Sequence, residues 1–327
     1  MTTLTMLDRR ALLVGAAGLL VLAALPLLVR DRLAQAITEL AAADPRWLWL
    51  AAGCFVALIV GTGLSWRAGI GACGGQIGCV SSAGRYAVGS LVNGIAPAGS
   101  GGAVRIGLYS RMLPERDRVL VATGIAAAIG FARAPSMAAL VVAAAALGAF
   151  PLWPVLVLLA AVAGAVGIAL LSRRWTPHAR VAHVLDAFRA LAQAPRAAVS
   201  LAAWVTAANL SRVVGAIAVV ASLGVERPIV AGLVMVPALS LAAAVPSTPG
   251  NVGVSSGAVA VALSFVGVGF GDALAVGLAF HAVETVVSIT AGVVGLLVVA
   301  KPRVRVPALR YAGTGIALAG VLALALG

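Results

Sequence analysis

"SLVNGIAPAGSGGAVRIGLYSR", residues 90–111, breaks a strongly apolar chain with an asparagine, a proline, several glycines and an arginine. We call this stretch the first interruption. A backbone that leaves helical form inside hydrocarbon strands its N–H and C=O groups, each at a cost of several kcal/mol. Such a break is tolerated only where it lines protein or a water-filled cavity. The stretch therefore predicts a helix that breaks inside a membrane protein.

The composition predicts a membrane protein throughout. Of the 327 residues, 62% are hydrophobic and 10% are charged, whereas soluble domains contain about 25% charged residues. Apolar segments that approach the roughly 20 residues of a membrane-spanning helix occupy residues 11–29, 47–66, 119–147, 151–171, 197–222, 273–299 and 306–326. We therefore predict an all-α, polytopic integral membrane bundle, a single domain over residues 1–327, with about seven to nine spans.

The placement of basic residues predicts the orientation in the membrane. A net charge of +13 would suit nucleic-acid binding if the charges shared one face of a soluble fold. Instead the basic residues gather in clusters that alternate with nearly uncharged loops, at residues 9–10, 67–118, 173–196 and 301–310. This positive-inside pattern predicts the cytoplasmic (inner) membrane, a cytoplasmic N-terminus and an external C-terminus. Nucleic acid is excluded as a partner.

The longest polar insert, residues 173–196, has apolar residues at helical spacing with arginines between them, namely Val181, Val184, Leu185 and Phe188. That pattern predicts a short amphipathic helix on the cytoplasmic surface. The alternative is a solvated connector between two spans.

A second interruption, "AVPSTPGNVGVSSG", occupies residues 244–257. Aligning Pro97 with Pro246 also brings Gly101 against Gly250, so both interruptions contain Pro-x-x-x-Gly. Paired Gly/Pro interruptions in two halves of a membrane chain are typical of transporter binding sites. They predict two broken or re-entrant helical hairpins and a weak inverted repeat.

Each interruption is suited to start a new helix. Ser247 and Thr248 before Pro249 suit a helix cap followed by a first-turn proline. In the first interruption, Ser100 and its glycine neighbours allow close approach, and Arg105 adds a positive charge. Free N–H groups at a helix start favour anions, so these features predict a phosphate cradle. The alternatives are ordinary turns between short spans, with Arg105 as a basic residue at a cytoplasmic helix end.

A few polar residues lie within other apolar runs. An arginine in mid-span costs at least ~2.5 kcal/mol, so Arg133 and Arg212 must face protein or water. They are candidates for ligand binding or for pairing with a carboxylate. His281 and Glu284 are three residues apart on one helical face. They form a candidate proton-coupling pair, with mutual pairing or pairing to a neighbouring helix as the alternative.

The two interruptions resemble a known family. "NGIAPAGSGGAVR" resembles the Asn-x-x-x-Pro-x-x-x-Gly-Glu-x-x-Arg motif of the flippase-like domain, the transmembrane region of lysylphosphatidylglycerol synthases. "VPSTPGNVGV" is similar to the family's Pro-x-x-Pro-Gly-x-x-Gly run, which precedes a glutamate. The resemblance covers about residues 47–297. It implies re-entrant helices that move lipids or lipid-linked head groups between leaflets. The matching positions are Asn93, Pro97, Gly101, Arg105, Pro246, Pro249, Gly250 and Gly253.

The departures from the family pattern remove negative charge. Gly102 replaces the first-motif glutamate and Ser255 the second, while the family's Glu-Arg-x-x-Asp feature is reduced to Arg133. We therefore expect an anionic substrate, either an anionic phospholipid or a polyprenyl-phosphate-linked sugar. The candidate substrate-binding residues are Asn93, Pro97, Ser100, Gly101, Arg105, Arg133, Arg212, Ser247, Thr248, Pro249, Gly250, Asn251, Gly253 and Ser255.

The function expected is that of a lipid translocase, in which broken-helix N-termini and Arg105 hold the phosphate. No nucleotide-binding motif is present, so movement would be downhill or ion-coupled. A non-catalytic scaffold or partner subunit of a cell-envelope lipid or glycan synthase is the alternative. A membrane enzyme is disfavoured because no paired-carboxylate motif exists, and no catalytic residue, metal or cofactor is expected. The family's synthase domain is absent from this sequence, so any lipid modification would fall to another protein.

Overall fold

The structure, a computed structural model, describes residues 43–95, 99–114, 117–149, 179–242 and 252–300. In these ranges the chain is helical and forms no strand, which confirms the all-α fold class. The helices are α1 (Pro45–Ala72), α2 (Cys79–Ile95), α3 (Ser100–Ser110), α4 (Arg118–Ala146), α5 (Ala179–Gln193), α6 (Pro195–Ser222), α7 (Pro228–Ala242), α8 (Val252–Ser264) and α9 (Phe270–Ala300).

Four helices are long enough and apolar enough to cross a membrane, namely α1, α4, α6 and α9. The shortest of them has 28 residues, or about 42 Å, against a hydrocarbon core about 30 Å thick. They correspond to the predicted spans at 47–66, 119–147, 197–222 and 273–299, and so confirm them. The predicted spans at 11–29, 151–171 and 306–326 lie outside the described residues.

The helices around the two interruptions are shorter. α2 and α3 have 17 and 11 residues, and α7 and α8 have 15 and 13. Even 17 residues extend only about 26 Å, less than the hydrocarbon thickness. α2 and α3 run antiparallel, because Gly101 lies against Asn93 near the break while Tyr109 bonds to Ser82 far from it. α2 and α3 therefore form a helical hairpin, and the first interruption contains the end of α2 and the whole of α3.

The order of long and short helices occurs twice. α1 to α4 run long, short, short, long, and α6 to α9 repeat that order. α1 and α6 cross antiparallel, since Gly61 meets Ala208 while Phe55 meets Gly215. The second four-helix unit is thus inverted relative to the first. The helix packing repeats in the same way. Between the units, α2 packs on α9 and α7 packs on α4. Within the units, α3 packs on α4 and α8 packs on α9.

α5 stands between the two units. Its buried residues Ala187 and Leu191 and its half-buried Phe188 lie on one face, which packs on α4. The approach is close, because a Cβ atom on Gly124 of α4 would overlap the carbonyl oxygen of Val184. The polar insert thus contains an amphipathic helix whose apolar face contacts protein.

Aromatic and hydroxyl contacts hold α3 in place. The rings of Trp66 on α1 and Tyr109 on α3 stack with centroids 4.3 Å apart. The Tyr109 hydroxyl donates to the carbonyl oxygen of Ser82 at 2.6 Å, and Ser82 Oγ donates to the carbonyl oxygen of Gly63 at 2.6 Å. Because these groups are buried, losing one bond would leave a polar group unsatisfied. The network fixes α3 against α1 and α2, one turn from Arg105.

Candidate anion-binding site

Arg105 lies alongside α2. Its Nη2 donates to Ser90 Oγ at 3.0 Å, and its Cζ lies 4.1 Å from the centre of the Tyr86 ring, a cation–π contact. Gly89 leaves the space for this side chain, because a Cβ atom there would overlap the Arg105 stem. The guanidinium therefore has a defined position on the face of α2 that carries Tyr86 and Ser90.

The start of α3 lies against the same part of α2. Gly99 precedes the helix with a φ of 91°, a left-handed conformation that favours glycine, and gives no side-chain cap. A Cβ atom on Gly101 would overlap the carbonyl oxygen of Gly89. Ser100 begins the helix, Asn93 is exposed on α2, and Pro97 lies outside the described residues. The structure thus brings the first turn of α3 and Arg105 together on residues 86–93.

Arg133 and Arg212 approach from the long helices α4 and α6. Asn209 Nδ2 donates to Ser136 Oγ at 2.6 Å where these helices meet. Arg133 lies three residues before Ser136, and Arg212 lies three residues after Asn209. The two arginines therefore flank this interhelical hydrogen bond.

Three arginines act electrostatically on Tyr86, and one of them, Arg105, contacts its ring. The guanidinium groups of Arg105, Arg133 and Arg212 all lie close enough to act electrostatically on its phenol. We call these three residues the arginine cluster. It gathers positive charge from α3, α4 and α6 around one phenol of α2.

A carboxylate partly balances the cluster. Glu284, near the middle of α9, places Oε1 3.5 Å from Arg212 Nη2, and their side chains are 27% and 19% exposed respectively. A strong charge-assisted hydrogen bond spans about 2.7–2.9 Å, so this ion pair is loose. Arg212 Cζ also lies 5.9 Å from the centre of the Phe280 ring. His281, three residues before Glu284, has interactions of its own.

The cluster has unused hydrogen-bonding capacity. The Nε atoms of Arg105, Arg133 and Arg212 are each buried, and none has a hydrogen-bond partner among the described residues. A buried charged donor without an acceptor costs about 1–3 kcal/mol or more. An anion with several acceptor oxygens, such as a phosphate, would satisfy donors of this kind.

The second interruption is only partly described. Gly253 is exposed and Ser255 is buried, both on α8, which packs against α7 and α9. The hydroxyl of the neighbouring Ser256 is buried without a partner in the described part of the chain. The remaining predicted residues, Ser247, Thr248, Pro249, Gly250 and Asn251, lie outside the described residues.

The sequence analysis did not single out Tyr86 and Ser90 as site residues. Tyr86 and Ser90 are four residues apart, so they share a face of α2. Two hydroxyl groups on one face of a helix in an apolar chain are the sequence feature that could have identified them as site residues.

A separate cavity of about 880 Å³ opens where α1 begins and where α6 and α8 end. Its charged lining residues are Asp44, Glu226, Arg227 and Asp272, and no residue of the arginine cluster lines it. Across the described ranges, no group of three or more His, Cys, Asp or Glu side chains is arranged to hold a metal ion. The arginine cluster is thus separate from this cavity.

The chain matches a known protein family over most of its length. The family model described as "Lysylphosphatidylglycerol synthase TM region" matches residues 12–292. This range contains both interruptions, the arginine cluster and Glu284. No curated protein matches the chain.

Proposed function

The chain belongs to the family of lysylphosphatidylglycerol synthase transmembrane regions, and from this premise we propose that it is a lipid translocase of the cytoplasmic membrane. Family membership supports an integral membrane protein of lipid biosynthesis or transport. The proposal adds that the substrate is an anionic lipid, either a phospholipid or a polyprenyl-phosphate-linked sugar. It also adds that the arginine cluster holds the lipid phosphate.

The observation that carries the proposal is that three Nε donors of the arginine cluster are buried without a hydrogen-bond partner among the described residues. Arg133 and Glu284 lie near the middles of long spans, where a charged residue costs at least ~2.5 kcal/mol. Three guanidinium groups face one carboxylate in the described part of the site. An excess of positive charge at this depth favours a negatively charged ligand, and the phosphate is the group that anionic lipids share.

The short helices next to the two interruptions, α2 with α3 and α7 with α8, would supply the path. All four are too short to cross the bilayer, and the two four-helix units that contain them run in opposite directions. Non-helical backbone inside a membrane lines protein or water. The head group would therefore pass along the interruptions while the acyl chains stay in the lipid.

The orientation follows from the arginines at the two ends of the bundle. Arg67, Arg111, Arg118, Arg189 and Arg196 lie at the end where α1 finishes and α6 begins. Arg46 and Arg227 lie at the opposite end. The positive-inside rule places the first end in the cytoplasm, so α2 and α3 would enter from the cytoplasmic side and α7 and α8 from outside. In this proposal the N-terminus is cytoplasmic, the C-terminus is external, and the protein transports lipid without enzymatic chemistry.

The test is movement of fluorescent lipids between leaflets of proteoliposomes. We expect faster flipping of anionic than of cationic lipids. Arg212→Ala or Arg105→Ala should weaken apparent affinity about ten- to hundredfold, because a hydrogen bond to a charged group contributes about 1.5–3 kcal/mol. Arg196→Ala, at an exposed position on α6, is the matched control and should behave as wild type.

Two outcomes would contradict the proposal. Equal rates of flipping for cationic and anionic lipids would show that the protein has no preference for anionic lipids. If folded protein flips no lipid, the chain is better described as a scaffold or partner subunit of a cell-envelope synthase.

A further inference from the structure

We propose that Glu284 is an exchangeable counter-ion of Arg212: a lipid phosphate takes its place on Arg212, and the Glu284 carboxylate takes up one proton for each phosphodiester bound. This inference rests on the proposed function and names how substrate binding is coupled to protons.

The ion pair between Arg212 and Glu284 has the geometry of a displaceable contact. Its single approach is 3.5 Å long, and Arg212 Nε remains without a partner among the described residues. A bidentate guanidinium–carboxylate pair would use two short, parallel hydrogen bonds. Glu284 therefore balances the charge of Arg212 but leaves N–H donors of the guanidinium group unused.

A phosphate at the arginine cluster would be a better partner. Its oxygens can accept several hydrogen bonds at once, and Arg105 and Arg133 act electrostatically on the same Tyr86 phenol as Arg212 does. The Glu284 carboxylate reaches Arg212 alone in the described contacts. The Nε atoms of Arg105 and Arg133 also have no hydrogen-bond partner within the described ranges. The exchange thus replaces one loose contact by several charge-assisted hydrogen bonds.

Charge balance explains why a proton is taken up when the phosphodiester binds. With Glu284 ionised, the three arginines and the one carboxylate give the cluster two positive charges. A phosphodiester brings one negative charge, and a proton from water neutralises Glu284 by forming an O–H bond at a carboxylate oxygen. The total again equals two positive charges. Without this proton, two anions would share one guanidinium, which disfavours the ionised carboxylate.

The neighbours of Glu284 define what else can respond to pH. Arg212 faces it from α6, and Arg105 and Arg133 complete the cluster from α3 and α4. Tyr86 contributes a phenol from α2, and His281 lies one turn away on α9 itself. Of these residue types, histidine alone ordinarily titrates near neutral pH. A His281→Gln variant therefore separates its contribution.

The experiment measures phosphatidylglycerol binding by the purified full chain in detergent between pH 5.5 and 8. The phosphodiester of this lipid does not titrate in that range. For one proton per lipid, the affinity of wild type falls by up to about tenfold per pH unit as pH rises. A pH-indicator dye in weak buffer should report alkalinisation on binding, with about one proton taken up per lipid.

Variants identify the residue that takes up the proton. Glu284→Gln removes the titrating group and should bind with nearly pH-independent affinity and no proton uptake. Glu226→Gln is the matched control, because it makes the same chemical change at an exposed carboxylate outside the cluster. It should keep both the pH slope and the proton uptake of wild type, as should His281→Gln.

The outcomes separate this inference from the proposed function. Binding without proton uptake in wild type, or an unchanged pH slope in Glu284→Gln, would overturn the exchange while leaving a translocase possible. Binding with proton uptake but no flipping in proteoliposomes would support the exchange and reject the translocase. Absence of anionic-lipid binding would reject both. The wild-type dye measurement stands even if Glu284→Gln fails to fold.

Discussion

At the scale of single residues, the position of Arg105 depends on the absence of a side chain at Gly89. The Arg105 stem fills the space that a Cβ atom would need, and this brings the guanidinium to Ser90 and onto the Tyr86 ring. A guanidinium makes directional hydrogen bonds, so a small displacement matters more than for a spherical charge. The site is therefore sensitive to substitutions that leave all of its charges in place.

Gly89→Ala tests this dependence. The added methyl group should displace the Arg105 side chain and weaken anionic-lipid binding about tenfold, although every charge remains. Gly94→Ala is the control on the same helix, because nothing lies within 4 Å of its added Cβ atom. Both changes should favour the helix by up to about 1 kcal/mol. Equal lipid affinity of the two variants would show that Arg105 does not depend on this packing.

The sequence predicted individual charged residues better than their partners. Arg133 and Arg212 stand out because arginines are rare in apolar runs, and both belong to the observed cluster. Tyr86 and Glu284 reach them from α2 and α9, far away along the chain. Those partners depend on helix packing, which one sequence without its fold does not specify.

At the scale of elements, the hairpin of α2 and α3 owes its close packing to small residues. The first turn of α3 reaches the backbone of α2 at Gly101, where a side chain would strike the carbonyl oxygen of Gly89. Backbone atoms cannot rotate away as a side chain can. A larger residue at this position must therefore separate the helices.

Gly101→Ala should destabilise the protein by about 1–3 kcal/mol, the usual cost of overpacking. The lower thermal midpoint would be measured in detergent, together with reduced lipid flipping. Gly102→Ala provides the control one residue away, because an added Cβ atom there meets nothing within 4 Å. If both variants melted at the same temperature as wild type, close packing at Gly101 would not hold the hairpin.

The elements show which sequence signals are local and which are not. Long apolar runs specify the four spanning helices, and a proline and glycines specify the first break, since these are properties of the segment itself. The docking of α5 on α4 is different. Residues 173–196 predicted an amphipathic helix, but the pattern is the same for an apolar face that meets lipid and one that meets protein.

At the scale of the whole molecule, two inverted four-helix units pack around the crossing of α1 and α6. Near this crossing a Cβ atom built on Gly215 lies 3.2 Å from Cys54 Cβ. Disulfides need a Cβ–Cβ separation of about 3.5–4.5 Å, which a small adjustment provides. The native cysteine thus gives a direct probe of how the units face each other.

Gly215→Cys should form a disulfide with Cys54 on mild oxidation, detected by peptide mass spectrometry before and after reduction. Cys73 and Cys79 serve as internal controls, because they should not cross-link to the new cysteine. Combining Gly215→Cys with Cys54→Ser should abolish the product. Oxidised protein that cross-links preferentially to Cys73 or Cys79 would contradict the antiparallel crossing.

The whole-molecule symmetry was visible in the sequence only at the paired Pro-x-x-x-Gly motifs. The repeated helix order and the antiparallel crossing emerge from lengths and contacts rather than from similar residues. Apolar side chains are interchangeable at most lipid-facing and core positions, so two units can keep one architecture with little sequence likeness.

The inverted pair of units has an evolutionary consequence. Such a pair is the expected product when a half-length ancestor, able to insert into the membrane in either direction, is duplicated and its copies fuse. An ancestral dimer would have presented two identical sets of charges to its centre. In the fused chain the two copies diverge independently, so Arg105 on α3 has no arginine counterpart on α8. A single chain with two inverted halves can thus carry an asymmetric charged centre, which two identical halves could not.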